Sequence, residues 1–175
     1  MMTSLKNSVR SLIETILRFE SRLVLLRYKP KVVAVTGSVG KTSAKDMLYA
    51  VLQSAYFTRK SEKSFNSDIG IPLAILGCPN GWNNPFIWMR NIADGFALIF
   101  LRNAYPEWLV LEVGADRPGD IKRIAKWLSP DIVVVTRLPD VPVHVEFFNS
   151  PDALFKEKSH LVRLAKQTAL TVLNA

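Results

Sequence analysis

Apolar runs alternate with amphipathic stretches along this chain of 175 residues. Continuous aliphatic and β-branched runs are typical of strands buried on both faces of a parallel sheet. They predict strands at 32–35, 108–113, 131–136 and 168–173, and a shorter strand at 56–58. Apolar residues at i, i+3 and i+4 predict helices at 4–28, 44–55, 71–76 and 86–102, and two more that begin at 117–120 and at 150–151. This alternation predicts an α/β fold, a mostly parallel sheet flanked by helices.

Residues 1–30 are predicted to form a basic amphipathic helix that precedes the α/β domain at 31–175. Apolar residues recur at helical spacing from Leu5 to Val24, with arginines and a lysine between them. Pro30 ends the helix, because the residue before a proline resists the helical conformation. We expect the helix to pack on the domain or on a partner, and contact with a membrane surface is the weaker alternative.

Composition narrows the classes of function. Apolar residues make up 49% of the chain, which is typical of a packed domain, and no apolar run is long enough to span a bilayer. The single cysteine excludes an intrachain disulfide, and with two histidines it argues against a structural zinc site. A reducing, cytoplasmic setting follows. The net charge of +8 is compatible with anionic ligands, but charge alone gives little support to nucleic-acid binding.

A small-residue turn joins the first strand to its helix and carries the strongest chemical signal. It reads Thr-Gly-Ser-Val-Gly-Lys-Thr-Ser at 36–43, a shorter form of the phosphate-binding loop, because Val35 stands where the common pattern has its first glycine. Backbone N–H groups of such a turn converge on phosphate oxygens. The predicted P-loop-type nucleotide site comprises Thr36, Gly37, Ser38, Val39, Gly40, Lys41, Thr42 and Ser43.

Glu112 is the second candidate, because it ends a buried apolar strand. The carboxyl ends of parallel strands share one edge of the sheet, where ligands gather. A carboxylate there, beside the Thr42 hydroxyl, is suited to hold Mg²⁺, although a cap or a salt bridge is the alternative.

Three further residues remain ambiguous when only their surroundings in the sequence are considered. His144 follows the third long strand and is either a loop histidine or a metal or acid–base group. Lys158 interrupts the apolar face of the last helix, so it either snorkels to solvent or is held in a site. Asn66 begins a segment that is either solvated or in contact with substrate. We expect Lys156, Glu157 and His160 to face solvent.

Seven segments together resemble the central ATP-binding domain of the Mur ligases. They lie at 36–42, 66–72, 112–115, 118–121, 144–146, 157–159 and 172–175, and the resemblance extends from Lys31 to Ala175. Within the family, the chain is most similar to the ligases that add D-alanyl-D-alanine to a UDP-N-acetylmuramoyl tripeptide. Arg137 departs from the pattern, because an asparagine is usual there, and the loop before His144 is longer.

The resemblance implies roles for these residues. Lys41 and the loop amides would bind ATP, and Thr42 and Glu112 would hold one Mg²⁺. His144 would hold a second Mg²⁺, and Lys158 matches a lysine that is carbamylated in the family. Lys41, His144 and Lys158 would be catalytic, and Asn66 would contact substrate.

The resemblance also implies an activity, an ATP-dependent amide-forming ligation through an acyl phosphate in peptidoglycan synthesis. UDP-MurNAc-peptide and D-alanyl-D-alanine would be substrates of the full ligase. We expect the chain to be incomplete, since the segments that grip the UDP group and present the amine are missing, so a C-terminal segment or partner chain would be needed. The alternatives are a non-catalytic nucleotide-binding or assembly module, or a folylpolyglutamate synthase. A GTPase is disfavoured, because no guanine-reading motif is present.

Overall fold

The computed structural model describes residues 2–62, 67–115, 117–138, 148 and 150–174. Their helices are α1 (Met2–Tyr28), α2 (Lys41–Leu52), α3 (Gly70–Leu76), α4 (Pro85–Phe100), α5 (Asp120–Ala125) and α6 (Pro151–Arg163). The strands are β1 (Lys31–Thr36), β2 (Thr58–Lys60), β3 (Trp108–Glu112), β4 (Ile132–Val135) and β5 (Leu170–Leu173).

The described strands form one parallel sheet in the order β2-β3-β1-β4-β5. This confirms the α/β prediction, including the N-terminal helix. In the register, Val35 pairs with Glu112 and Thr36 pairs with Val135, so the ends of β1, β3 and β4 meet at one edge. Because β1 lies between β3 and β4, the chain turns to opposite sides of the sheet there, and such a point is where open α/β sheets bind ligands.

The two faces of the sheet are covered unequally. Ala44, Leu48 and Leu52 of α2 pack on Val33 and Val35. The opposite face carries the larger core, to which α1, α3, α5 and α6 contribute, and every residue of α3 is buried. The sheet is therefore fixed from both sides around β1, the strand that delivers the chain to the predicted phosphate loop.

Local signals set the ends of several helices. The Ser150 side chain accepts a hydrogen bond from the Ala153 amide, and Asn84 accepts one from Phe86. Each of these N-caps precedes a proline, whose missing N–H costs nothing in the first turn. The predicted start of the last helix is thereby confirmed.

Some burial predictions are wrong. The strand predicted as buried at 168–173 is β5, with Leu170 60% and Leu173 66% exposed, because β5 has a neighbour on one side only in the described sheet. Met47 and Val51, assigned to the sheet-facing side of α2, are exposed, since they flank the row that ends in Leu52.

Two helical aromatics are also more exposed than predicted. Phe96, expected in the core, is 41% exposed, and Phe155, assigned to the apolar face of α6, is 42% exposed. Both lie at the border of their helix's packed face. The residues that do face the core from these helices include Ile92 and Leu154.

Helix α1 packs on α3 and α4, as expected for a helix that docks on the domain. Its inner face buries Leu17 and Val24, and the Tyr28 hydroxyl donates to the Leu98 carbonyl at 2.8 Å. Among the described helices, none combines the length and apolarity that a bilayer crossing requires.

A buried carboxyl lies between α1 and α4. Glu20 is fully buried, and neither of its carboxyl oxygens has a hydrogen-bond partner in the described part of the chain. Gly95 of α4 makes room for it, because a Cβ at that position would lie 2.3 Å from Glu20 Oε2. Burial raises the pKa of Glu20 to about 7.

The raised pKa of Glu20 leads us to expect that the free energy of unfolding decreases as pH rises. Its folded pKa of about 7 exceeds the ordinary value of 4.5 for a glutamate, so the folded protein retains the proton to higher pH. The favourable contribution is complete below pH 4.5 and is lost as pH rises through 7, a change on the order of 3 kcal/mol. Glu20→Gln should flatten this part of the profile of unfolding free energy against pH, measured by urea denaturation. Glu14→Gln, at a half-buried position of the same helix where the carboxylate pairs with Arg10, is the control, and an unchanged profile in Glu20→Gln would refute the assignment.

Candidate nucleotide site

The turn between β1 and α2 lies at the carboxyl edge of the sheet, as the sequence predicts. Gly37 has a φ of 141°, and a Cβ there would lie 2.0 Å from Thr136 Oγ1, so only glycine fits between this turn and the end of β4. Gly40 caps α2 in the left-handed region, with a φ of 83°. The two glycines bring the chain close against β4 and then turn it into the helix.

The N-terminus of α2 supplies N–H groups to this edge. Ala44 donates the first intrahelical hydrogen bond, to Gly40, at 2.9 Å. The amides of Lys41, Thr42 and Ser43 precede it and therefore have no acceptor within the helix. Such a group of amides, at the positive end of a helix dipole, favours an anion.

Other amides of the loop already have acceptors. Those of Ser38 and Val39 donate to the Arg137 carbonyl at 3.0 and 3.3 Å. In contrast, the Thr36 hydroxyl is buried, and Oγ1 has no partner among the described residues. The amides that can bind an anion are therefore those in the helical half of the loop. This is a smaller set than the sequence alone predicts.

Thr42 and Glu112 meet as the sequence predicts. Thr42 Oγ1 donates to Glu112 Oε2 at 2.9 Å, and this bond links the first turn of α2 to the last residue of β3. The Glu112 amide donates to Ser61 Oγ, also at 2.9 Å, which fixes the strand end from the β2 side. The site thus presents a hydroxyl and a carboxylate, the oxygen ligands that Mg²⁺ accepts.

Lys158 reaches into the same loop from α6. Its ammonium donates to the Gly37 carbonyl at 2.7 Å and to Ser38 Oγ at 3.0 Å. The side chain is buried, so the alternative of snorkelling to solvent is wrong. Burial, and then the charge of Lys41, lower the pKa of Lys158 to about 8. Lys41 itself folds back to donate to the Ser38 carbonyl at 3.2 Å.

Lys45, which was not predicted, is a third lysine of the site. Lys45 is 1% exposed, and its Nζ lies 3.8 Å from Glu112 Oε2 and 3.7 Å from Asp46 Oδ1. Lys60 pairs with the same aspartate at 2.8 Å. The signal was available, because Lys45 follows Ala44 and precedes Leu48 on the side of α2 that faces the sheet. A lysine on an apolar helical face is the same anomaly that drew attention to Lys158.

Glu157 also departs from expectation. It is buried rather than solvated, and its carboxylate accepts a hydrogen bond from the Lys122 amide at 3.0 Å. This bond joins α6 to α5, so Glu157 helps to fix the helix that carries Lys158.

Two predicted site residues, His144 and Asn66, lie outside the described residues. Within the described ranges, no group of three or more His, Cys, Asp or Glu side chains is arranged to hold a metal ion. The described candidates for metal binding are therefore Thr42, Glu112 and Lys158.

A model of the Mur ligase middle domain matches residues 35–87 and 93–175 of this chain. The chain belongs to the Mur ligase family. The match contains the phosphate loop, Glu112 and Lys158, and it confirms the resemblance derived from the seven segments.

Curated members of the family share moderate identity with this chain. A UDP-N-acetylmuramoyl-tripeptide–D-alanyl-D-alanine ligase of Borreliella burgdorferi is 32% identical over 132 residues, which are 75% of this chain and 23% of that protein. The ligase of the same name from Bacillus subtilis is 28% identical over 142 residues, 81% of this chain and 25% of that protein. This Mur ligase chain thus spans about a quarter of the length of these relatives.

Solved structures show the same fold. A MurF ligase of Thermotoga maritima in complex with ADP aligns with a TM-score of 0.69 and 28% identity, covering 92% of this chain and 31% of that one. MurF from Acinetobacter baumannii aligns with a TM-score of 0.67 at 22% identity, covering 94% and 30%. The fold extends over nearly the whole of this Mur ligase chain, and the ADP complex agrees with nucleotide use in the family.

Proposed function

We propose that this chain is the ATP-binding domain of a cytoplasmic, ATP-dependent ligase that forms an amide bond in a peptidoglycan precursor. The observation that carries the proposal is the convergence of Lys41, Thr42, Glu112 and Lys158 at the carboxyl edge of the sheet. The family match and the names of the relatives support the reaction class.

The described residues fit a magnesium nucleotide. The amides of 41–43 and the Lys41 ammonium would hold the phosphates, the whole loop from Thr36 to Ser43 would surround them, and Thr42 and Glu112 would hold the ion. The buried Thr36 hydroxyl at the base of the loop has no hydrogen-bond partner among the described residues and is a further polar group available to such a ligand. Bound Mg²⁺ would neutralise phosphate charge during transfer.

The reaction must bring together two anions that repel each other, a substrate carboxylate and a triphosphate. The positive charge of the lysines would reduce this repulsion. Lys41 and the N-terminus of α2 would stabilise the transferring phosphoryl group, and Lys45 would hold Glu112 in place. In the proposed sequence, a carboxylate oxygen takes the γ-phosphoryl group, ADP leaves, and an acyl phosphate results. An amine then attacks the acyl carbon, phosphate leaves, and the amine loses a proton.

Lys158 is proposed to carry a carbamate, as the family resemblance implies. Carbamate formation needs the neutral amine, and a pKa of about 8 leaves roughly a tenth of Lys158 neutral at pH 7. The resulting carboxylate would be a third oxygen ligand beside Thr42 and Glu112. His144 is proposed to hold a second Mg²⁺, and Asn66 to contact substrate.

The substrates and the domain layout are extrapolated from the relatives. We propose UDP-MurNAc-peptide and D-alanyl-D-alanine as substrates, with 1–30 as an N-terminal helix and 31–175 as part of the central domain. Because the chain spans about a quarter of its relatives' length, we expect ligation only with the rest of a ligase, on the same chain or a partner.

Nucleotide binding is predicted to depend on Lys41. Lys41→Ala should weaken Mg·ATP binding at least tenfold in isothermal titration calorimetry, because one of the phosphate-facing charges is lost. Lys126→Ala, at an exposed position in the turn after α5, is the matched control. Equal affinity in Lys41→Ala and the parent would refute the phosphate loop.

Turnover distinguishes a ligase from the second candidate, a non-catalytic nucleotide-binding module. We expect ADP release with UDP-MurNAc-tripeptide and D-alanyl-D-alanine once the remaining ligase segments are supplied. ATP binding without turnover in that complemented system would favour the module.

Carbamate at Lys158 is directly measurable. With ¹³C-bicarbonate, the chain should show a carbamate carbon resonance that grows as pH rises through about 8, because deprotonation exposes the nucleophilic amine. Lys158→Ala should lack the resonance, and Lys156→Ala, two residues away and exposed, should retain it. An identical spectrum for Lys158→Ala and the parent would contradict the assignment.

A further inference from the structure

An apolar stripe runs along the outer side of α1, away from the core. Val9, Leu12, Phe19 and Leu26 are 50%, 60%, 56% and 69% exposed. With the half-buried Ile16 and Leu23 between them, they recur at alternating intervals of three and four residues. This spacing places all six on one side of a helix, distinct from the inner side that buries Leu17 and Val24.

Helix α4 carries a second stripe. Its exposed apolar side chains are Phe86, Met89, Phe96 and Phe100, at 77%, 67%, 41% and 72% exposed. Their intervals are three, seven and four residues, so they lie on one side of the helix. The side of α4 that packs inward instead carries Asn91 and Gly95, both buried.

The two stripes lie on helices that pack directly against each other. Glu20 meets Gly95 in the middle of the contact, and at its end Arg27 donates to the carbonyls of Ile99 and, at 3.0 Å, Leu101. We call the eight exposed apolar side chains of the two helices the α1–α4 face: Val9, Leu12, Phe19, Leu26, Phe86, Met89, Phe96 and Phe100.

The α1–α4 face is large for a protein of this size. At about 200 Å² for a full aromatic side chain, its four phenylalanines alone leave roughly 500 Å² exposed. That value reaches the size of the largest apolar patch on a typical monomer before the aliphatic side chains are added, and such patches mark interaction sites.

The charges beside the face are mainly positive. Arg22 lies three residues after Phe19 and four before Leu26, and Arg102 follows the end of α4. The acidic residues of these helices are engaged: Glu20 is buried, Glu14 lies 3.0 Å from Arg10, and Asp94 lies 3.5 Å from Arg90. A second copy of the chain would set arginine against arginine, whereas an anionic bilayer complements both the arginines and the apolar side chains.

We propose that the α1–α4 face binds the surface of an anionic phospholipid bilayer, with its apolar side chains at the boundary of headgroups and acyl chains. The inner side of α1 packs on the domain, as the sequence predicts, and the outer side is left to contact the membrane. This binding is independent of the nucleotide site, so Lys41→Ala should bind vesicles as the parent does.

Vesicle flotation of the full chain tests the proposal. We expect binding to vesicles of phosphatidylglycerol and phosphatidylcholine, little binding to phosphatidylcholine alone, and weakening by salt. Phe19→Glu/Phe100→Glu should reduce binding at least tenfold, and Arg22→Gln should weaken binding to the anionic vesicles only. The matched control is Met47→Glu/Val51→Glu, which alters two side chains of α2 that are 70% and 71% exposed outside this face. Circular dichroism and thermal unfolding establish that each variant is folded.

Two outcomes would overturn the proposal. One is parent binding to anionic vesicles no stronger than to phosphatidylcholine, and the other is equal loss of binding in the α2 control. Sedimentation velocity identifies the competing occupant. A dimer of the parent that Phe19→Glu/Phe100→Glu dissociates, without vesicle binding, would make the face an interface between two copies.

Discussion

The hydrogen bond between Thr42 and Glu112 depends on nearly every large-scale feature of the fold. It joins the first turn of α2 to the end of β3, and it forms only because β1 and β3 are adjacent, parallel and in the register that pairs Val35 with Glu112. A slip of one residue would turn Glu112 to the opposite face of the sheet. The core on either side of β1 therefore contributes to chemistry by holding this register.

Two buried lysines, Lys45 and Lys158, supply positive charge beside the Thr42–Glu112 pair. Lys45 and Lys158 are almost fully buried, which is costly for an ammonium without compensation. Lys45 is compensated by Glu112 and Asp46, whereas Lys158 has only neutral oxygens of Gly37 and Ser38 as hydrogen-bond acceptors among the described contacts. Burial, followed by the charge of Lys41, lowers the pKa of Lys158. A phosphate beside the ammonium would supply the missing negative charge, and the proposed carbamate would replace the ammonium by a carboxylate.

Sequence patterns predicted the elements that carry the site, and they missed features that depend on how faces are shared. The β1–α2 turn and the strand ending in Glu112 were predictable, because glycines and continuous apolar runs act locally. Lys45 lies on the sheet-facing side of α2, so periodicity could have indicated its burial, whereas its ion pairs with Glu112 and Asp46 depend on tertiary packing. The exposure of Leu170 and Phe96 depends on which neighbours cover an edge strand or a helix, and periodicity alone does not reveal that. His144 and Asn66 stay predictions.

Helix α1 shows the same difference between what periodicity predicts and what depends on the neighbouring elements. Its apolar periodicity predicted a docked helix, and the inner side docks on α3 and α4. The chain nevertheless has more apolar positions on α1 than one interface uses, so a second surface remains on the outer side. The nucleotide site and this surface are proposed to serve different partners of the same domain.

Metal binding at the Thr42–Glu112 pair tests the central claim most directly. Electron paramagnetic resonance of Mn²⁺, titrated with ADP and the full chain, measures occupancy without requiring turnover. The account predicts that Glu112→Gln and Thr42→Val each weaken Mn²⁺·ADP binding at least tenfold, because the first removes the negative charge of a ligand and the second removes the hydroxyl oxygen. Binding of Mn²⁺·ADP to both variants with the affinity of the parent would contradict it.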